Sequence, residues 1–157
     1  MRFVVDSMLG KLARWLRLSG YDVTYGKLTD EEILKKAEKE SRVIVTRDKL
    51  LYIKANSLGL KCILIKSNEL KIQLLQLIEE LGIAIYDSPE KSRCPICGGK
   101  LRDINREEIR KLVPKKVFES VERFSICESC NKIYWEGNHW KKIREMVKCI
   151  KSLAKKK

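Results

Sequence analysis

Two Cys-x-x-Cys pairs, Cys94/Cys97 and Cys127/Cys130, place four soft ligands in the C-terminal part of a 157-residue chain. Each pair presents two thiolates from one tight turn, and four thiolates close a tetrahedral shell around zinc. Such a shell leaves no position for a water molecule, so the metal is read as structural and catalysis is sought in the residues before Cys94. The 29 residues between Cys97 and Cys127 are long for a minimal ribbon and leave room for inserted strands or a helix. Cys62, in an apolar run, and Cys149, in a helical pattern, are expected as core thiols.

Three aspartates form a second constellation. Asp6 directly follows the β-branched run Arg2–Val5, Asp48 follows the strand pattern at 42–46, and Asp30 opens the helical pattern after 21–25. In a parallel sheet these positions share the carboxyl edge, where open α/β folds place their sites. Carboxylates converging there call for a divalent cation, and Mg²⁺ or Mn²⁺ ions so held activate water for in-line displacement at a phosphodiester. The same residues also read as helix caps: Asp6 and Asp48 precede helices, and Asp30 lies inside a Thr29/Glu32 capping box. Around them, Arg14 and Arg17 stand one turn apart on the first helix, Arg14 either pairing with a carboxylate, meeting a substrate phosphate or facing solvent. Arg47 beside Asp48 either steadies charge on a phosphate or makes an ion pair, and Thr46 either hydrogen-bonds a carboxylate or ends its strand.

The elements that must position these groups alternate. Strand patterns at 2–5, 21–25, 42–46, 61–65 and 82–86 are separated by amphipathic helices, one of them at 69–81 with Leu70, Leu74, Leu77 and Leu81 on one stripe. Gly20 and Gly82 read as helix stops. The alternation predicts an α/β layer with a mainly parallel sheet flanked by helices. Residues 87–92 read as a polar linker interrupted by Pro89, dividing a first domain at 1–88 from a module at 92–157 that ends in a basic helix at about 140–153.

Charge is distributed unevenly. Residues 1–93 carry 17 basic against 13 acidic side chains, and residues 94–157 carry 17 against 8, giving +13 overall. This balance favours a polyanion, chiefly nucleic acid. No stretch is long and apolar enough to span a membrane and the N-terminus lacks a signal-peptide pattern, so a cytoplasmic location is expected. His139 lies between Trp135 and Trp140, beside Lys141, Lys142 and Arg144. The tryptophans either pack the second module onto the first, with His139 in the seam, or stack on RNA bases.

Together these motifs resemble a family. Residues 6–23, from Asp6 through Leu9-Gly10-Lys11-Leu12-Ala13-Arg14 to Gly20-Tyr21-Asp22-Val23, are similar to the opening motif of the PIN-like ribonucleases named after the C-terminal RNase domain of the Mut-seven exonucleases. Thr29-Asp30-Glu31-Glu32-Ile33-Leu34 and Val43-Ile44-Val45-Thr46-Arg47-Asp48 are similar to its second and third motifs. The two cysteine turns and residues 134–140 are similar to its appended zinc ribbon. The resemblance implies a PIN-like domain followed by a small zinc ribbon, and a metal-dependent RNase site in which Asp6, Asp30 and Asp48 bind Mg²⁺ or Mn²⁺. Many PIN domains use a fourth acid; Glu31 and Asp87 are the substitutes available here.

The expected reading is therefore a Mg/Mn-dependent ribonuclease with structural zinc, Arg14, Arg17, Arg47, His139 and Trp140 contacting RNA, with ribosomal RNA or tRNA as partner. The competing reading is a non-catalytic zinc-ribbon protein docked on ribosomal or another structured RNA.

Overall fold

The computed structural model describes residues 1–156. Four parallel strands, β1 (Arg2–Val5), β2 (Asp22–Tyr25), β3 (Val43–Thr46) and β4 (Cys62–Leu64), form a sheet in the order 2-1-3-4. The chain leaves β1 through α1 (Gly10–Leu18) to reach β2 on one side. It then returns through α2 (Asp30–Glu40) to β3 on the other side and continues through α3 (Lys49–Ser57) to β4. The order therefore reverses between β1 and β3, which opens a crevice at their carboxyl ends.

Both faces of this sheet are covered, which is why β1 and β3 read as continuous apolar runs. Phe3, Val5, Val43 and Val45 pack with Leu12, Ala13 and Leu16 of α1 and with Leu74 and Leu77 of α4 (Leu70–Leu81). Val4 and Ile44 face the other way, onto Ile33, Leu34 and Ala37 of α2 and Leu51 and Ala55 of α3. Cys62 joins that second face as a buried thiol, and burial pushes its pKa up to about 12.

The segment 82–86 departs from expectation. Ile83 and Ile85 are buried in the α1/α4 core, as their alternation implies, but the segment joins no strand. Its polar groups bond side chains: the Ala84 amide donates to the Tyr21 hydroxyl at 3.1 Å, which itself donates to the Ala84 carbonyl at 2.8 Å. The Tyr86 amide donates to Ser19 Oγ at 3.3 Å. Backbone groups satisfied in this way need no sheet edge.

The second sheet is antiparallel: β5 (Leu101–Ile104), β6 (Phe124–Cys127) and β7 (Ile133–Trp135). The insertion between the cysteine turns supplies β5 and the short α5 (Lys115–Ser120), and a small core of Ile109, Phe118 and Phe124. The last helix, α6 (His139–Lys155), follows the ribbon in sequence yet returns to the first layer and packs on α4. Its buried stripe of Trp140, Ile143, Val147 and Ile150 enters the core that holds Phe3 and Leu16, each side chain contributing about 2 kcal/mol of apolar burial. That stripe leaves Cys149 exposed, not in the core as expected. No described helix is long and apolar enough to cross a membrane.

At the opposite edge of the sheet, Arg42 is buried and donates to the Phe3 carbonyl at 3.1 Å, to Asp22 Oδ1 at 2.9 Å and to Glu40 Oε2 at 2.6 Å. Burial alone would raise the Asp22 pKa, but the Arg42 hydrogen bond and charge lower it. Lys36 and Arg42 together hold Glu40 at about 2. Both carboxylates thus titrate lower when folded than unfolded. Their contribution is complete above about pH 5 and is lost as acid protonates the folded state. Thermal denaturation between about pH 7 and pH 2 should therefore show Tm falling with acid. Asp22→Asn should lower the neutral-pH Tm and flatten that acid limb.

Candidate active edge and zinc centre

The registers Val5↔Val45 and Val5↔Tyr25 bring the carboxyl ends of β1, β2 and β3 to one edge. Asp6 leaves β1 with its amide donating to the Val45 carbonyl, which fixes it beside β3. Thr46, fully buried at the end of β3, donates from Oγ1 to Asp6 Oδ2 at 2.8 Å and accepts the Asp48 amide at 3.0 Å. One hydroxyl therefore meets the Asp6 side chain and the Asp48 backbone. Ser7 Oγ donates to the other Asp6 oxygen at 3.3 Å.

Asp48 takes the capping role that its sequence context allows. Its Oδ1 accepts the Leu50 and Leu51 amides at 2.7 and 3.3 Å and caps α3, while the half-buried carboxylate stays at the crevice edge. Asp30 is the exposed first residue of α2, where Thr29 and Glu32 complete the capping box. Among the described residues, the one group of three or more acids, histidines or cysteines placed to share a metal is the cysteine set, and Asp30 has no hydrogen bond to Asp6 or Asp48. Arg47 is half-buried and donates to Asn68, tying this edge to the segment before α4.

The cysteine site is built by two similar turns. The Cys94 amide donates to the Gly99 carbonyl and the Cys127 amide to the Lys132 carbonyl, each closing a loop over its pair. Asn131 and Gly98 adopt positive φ values of 59° and 79° as the turns reverse. All four sulfurs lie within 4.8 Å of one another, with Cys94–Cys130 at 3.7 Å and Cys97–Cys127 at 3.4 Å. Sulfurs placed 2.3 Å from a central zinc are about 3.8 Å apart, so the set fits the metal. The Gly99 amide points at Cys97 Sγ, and the Ser129 and Cys130 amides at Cys127 Sγ. Burial opposes ionisation of Cys94, but the Tyr134 hydroxyl at 3.0 Å and nearby backbone amides prevail and hold it at about 6. Tyr134 is a supporting residue that cysteine spacing does not reveal.

Arg17 was expected to contact substrate; the structure corrects this. It is 4% exposed, and its guanidinium donates twice to the Val23 carbonyl, at 2.9 and 3.2 Å, and once each to those of Pro95 (3.3 Å) and Ile96 (2.9 Å). Gly98 packs against it, where a Cβ would stand 3.0 Å from Arg17 Nε and 3.2 Å from the Val23 carbonyl. Desolvation lowers the Arg17 pKa, opposed by the Cys97 and Cys94 thiolates. Trp140 is 5% exposed and packs its indole mainly into the core, while also adding to the lining of the groove between α1 and the ribbon. His139 and Arg14 are exposed and line a groove of about 790 Å³ between α1 and the ribbon, its aromatic wall including Trp15 and Trp135.

The family model described as the Mut7-C RNAse domain matches residues 1–147. The chain belongs to the Mut7-C RNase family. Nothing among curated proteins or solved structures matches it. The Mut7-C match runs through the sheet, the cysteine turns and the first half of α6, so the ribbon lies inside the matched region. It makes RNA the substrate class of this chain.

Two outcomes follow from the zinc side of the Mut7-C chain. Metal analysis should find one zinc per chain, lost in Cys127→Ser. Arg17→Ala should destabilise the protein by about 3 kcal/mol in urea denaturation, because three carbonyls lose a charged donor.

Proposed function

We propose that this protein is a metal-dependent ribonuclease whose reaction takes place in the crevice between β1 and β3. The arrangement of Asp6, Thr46 and Asp48 carries the reading. Two aspartates stand where the strand order reverses, and one buried hydroxyl bonds the carboxylate of Asp6 and the backbone amide of Asp48. Residues 1–88 supply the PIN-like nuclease domain, and residues 92–157 the zinc-ribbon module that assists RNA binding.

The donor types suit a hard cation: carboxylate oxygens of Asp6 and Asp48, with Asp30, exposed at the start of α2, as a third acid that would have to move to join them. Bound there, Mg²⁺ or Mn²⁺ would polarise the phosphodiester and acidify an attacking water. The chain's own part is positional. Thr46 fixes the rotamer of Asp6 and, by accepting the Asp48 amide, keeps the start of α3 against β3. Arg47, close to the crevice, offers positive charge to a phosphate oxygen. Glu31, next to Asp30 on the exposed start of α2, supplies a further acid.

A second reading, a non-catalytic protein docked on ribosomal RNA, tRNA or another structured RNA, is favoured by one observation: an oxygen of Asp48 is committed to capping α3. The two readings separate cleanly. Asparagine caps a helix as well as aspartate does, so Asp48→Asn should preserve α3. In the nuclease reading, Asp6→Asn and Asp48→Asn each lower Mn²⁺-supported RNA cleavage at least about a hundredfold with an unchanged Tm. Cleavage equal to wild type in the double variant would assign the activity elsewhere. No cleavage by the wild type, with RNA binding unaffected by the substitutions, would establish the second reading.

A further inference from the structure

We propose that the groove between α1 and the ribbon seats a single-stranded RNA segment and leads it to the Asp6/Asp48 edge. The proposal rests on the ribonuclease reading and specifies the form of its substrate. The groove joins two walls of different origin. Arg14 and Trp15 come from α1, and Lys132, Tyr134, Trp135 and Lys142 from the ribbon and the start of α6.

Its chemistry is that of a single-strand site. Trp15, Tyr134 and Trp135 are all half-buried and line the groove, a composition that accepts the faces of unpaired bases. Two of these rings are held from behind: Trp135 packs on Phe124 at 6.2 Å, and the Tyr134 hydroxyl is anchored on Cys94 Sγ. A duplex hides its bases and offers such a wall nothing to stack on. Arg14, Lys132 and Lys142 are exposed, and none forms an ion pair among the described residues, so their charge is available to phosphates. Neighbouring cations are already committed: Arg123 to Glu90 and Asp103, Arg144 to Glu136.

The groove also points the right way. It follows α1, with Arg14 and Leu18 both in its lining. α1 starts at Gly10, one short turn after Asp6, and Arg14 lies about 6 Å along the axis from that start. The Arg14 end is thus the end nearer the carboxylates.

The test uses the full zinc-loaded chain carrying Asp6→Asn, without Mg²⁺ or Mn²⁺, so that binding is read apart from cleavage. Anisotropy of a labelled single-stranded RNA oligonucleotide is compared with that of its duplex. The single strand should bind at least about tenfold tighter than the duplex, and Trp135→Leu, which keeps apolar contact with Phe124, should weaken it about tenfold. Reversing Arg14, Lys132 and Lys142 to Glu should weaken it far more than reversing Lys35, Lys39 and Lys54, exposed on the other face of the sheet. Equal losses from the two triple variants, or equal affinity for the duplex, would overturn the proposal. If Asp6→Asn abolishes cleavage while the groove variants bind like wild type, the groove fails and the nuclease reading stands. If the groove variants lose binding but wild type never cleaves, the groove stands as an RNA site and the nuclease reading fails.

Discussion

The guanidinium of Arg17 is the point at which two dissimilar pieces of chain become one structure. A cation taken out of water costs several kcal/mol unless its donors are met and opposite charge lies near. Here the donors meet the Val23 carbonyl at the sheet and the Pro95 and Ile96 carbonyls in the first cysteine turn, with ionised sulfur close by. Neither piece can satisfy the arginine alone. The interaction therefore requires that turn to hold its metal-ready shape while α1 is packed on the sheet. The contact is reinforced where the Arg93 amide donates to the Arg17 carbonyl and Ser92 Oγ to that of Leu18. What reads as a linker is a docked strap.

Once that strap is set, the remaining geometry follows. The ribbon is held alongside α1, which creates the groove, and α6 leaves it in a direction that lets Trp140, Ile143, Val147 and Ile150 close the core over α4. The two proposed metal environments divide the work by chemistry. Four cysteine sulfurs are set to form a closed soft shell that organises backbone, and aspartates at a sheet edge offer hard oxygens. Tyr134 spans the two roles of the ribbon, its hydroxyl on a cysteine sulfur and its ring in the groove.

Much of this was legible along the chain, for identifiable reasons. The apolar run at β3 and the Thr29/Glu32 box are local signals, and they produced a buried parallel strand and a capped helix at the expected places. Segment 82–86 shows the limit of such signals. Its alternation reported correctly which side chains are buried, but alternation cannot say whether the backbone pairs with a strand or, as here, with Tyr21 and Ser19. Arg17 shows another limit: an arginine one turn from Arg14 looks equally ready for phosphate until the fold surrounds it with carbonyls.

The sequence by itself determined the alternating α/β plan, the four-cysteine set and the positions of Asp6 and Asp48 at strand ends, because each depends on residue type and short spacing. Only the tertiary structure decided which basic and aromatic residues face solvent. It buried Arg17 and Trp140, left Arg14 and His139 on a groove, and joined Asp6 to Asp48 through Thr46. Those outcomes depend on which surfaces meet when elements distant in sequence pack together, and no spacing within either element carries that information.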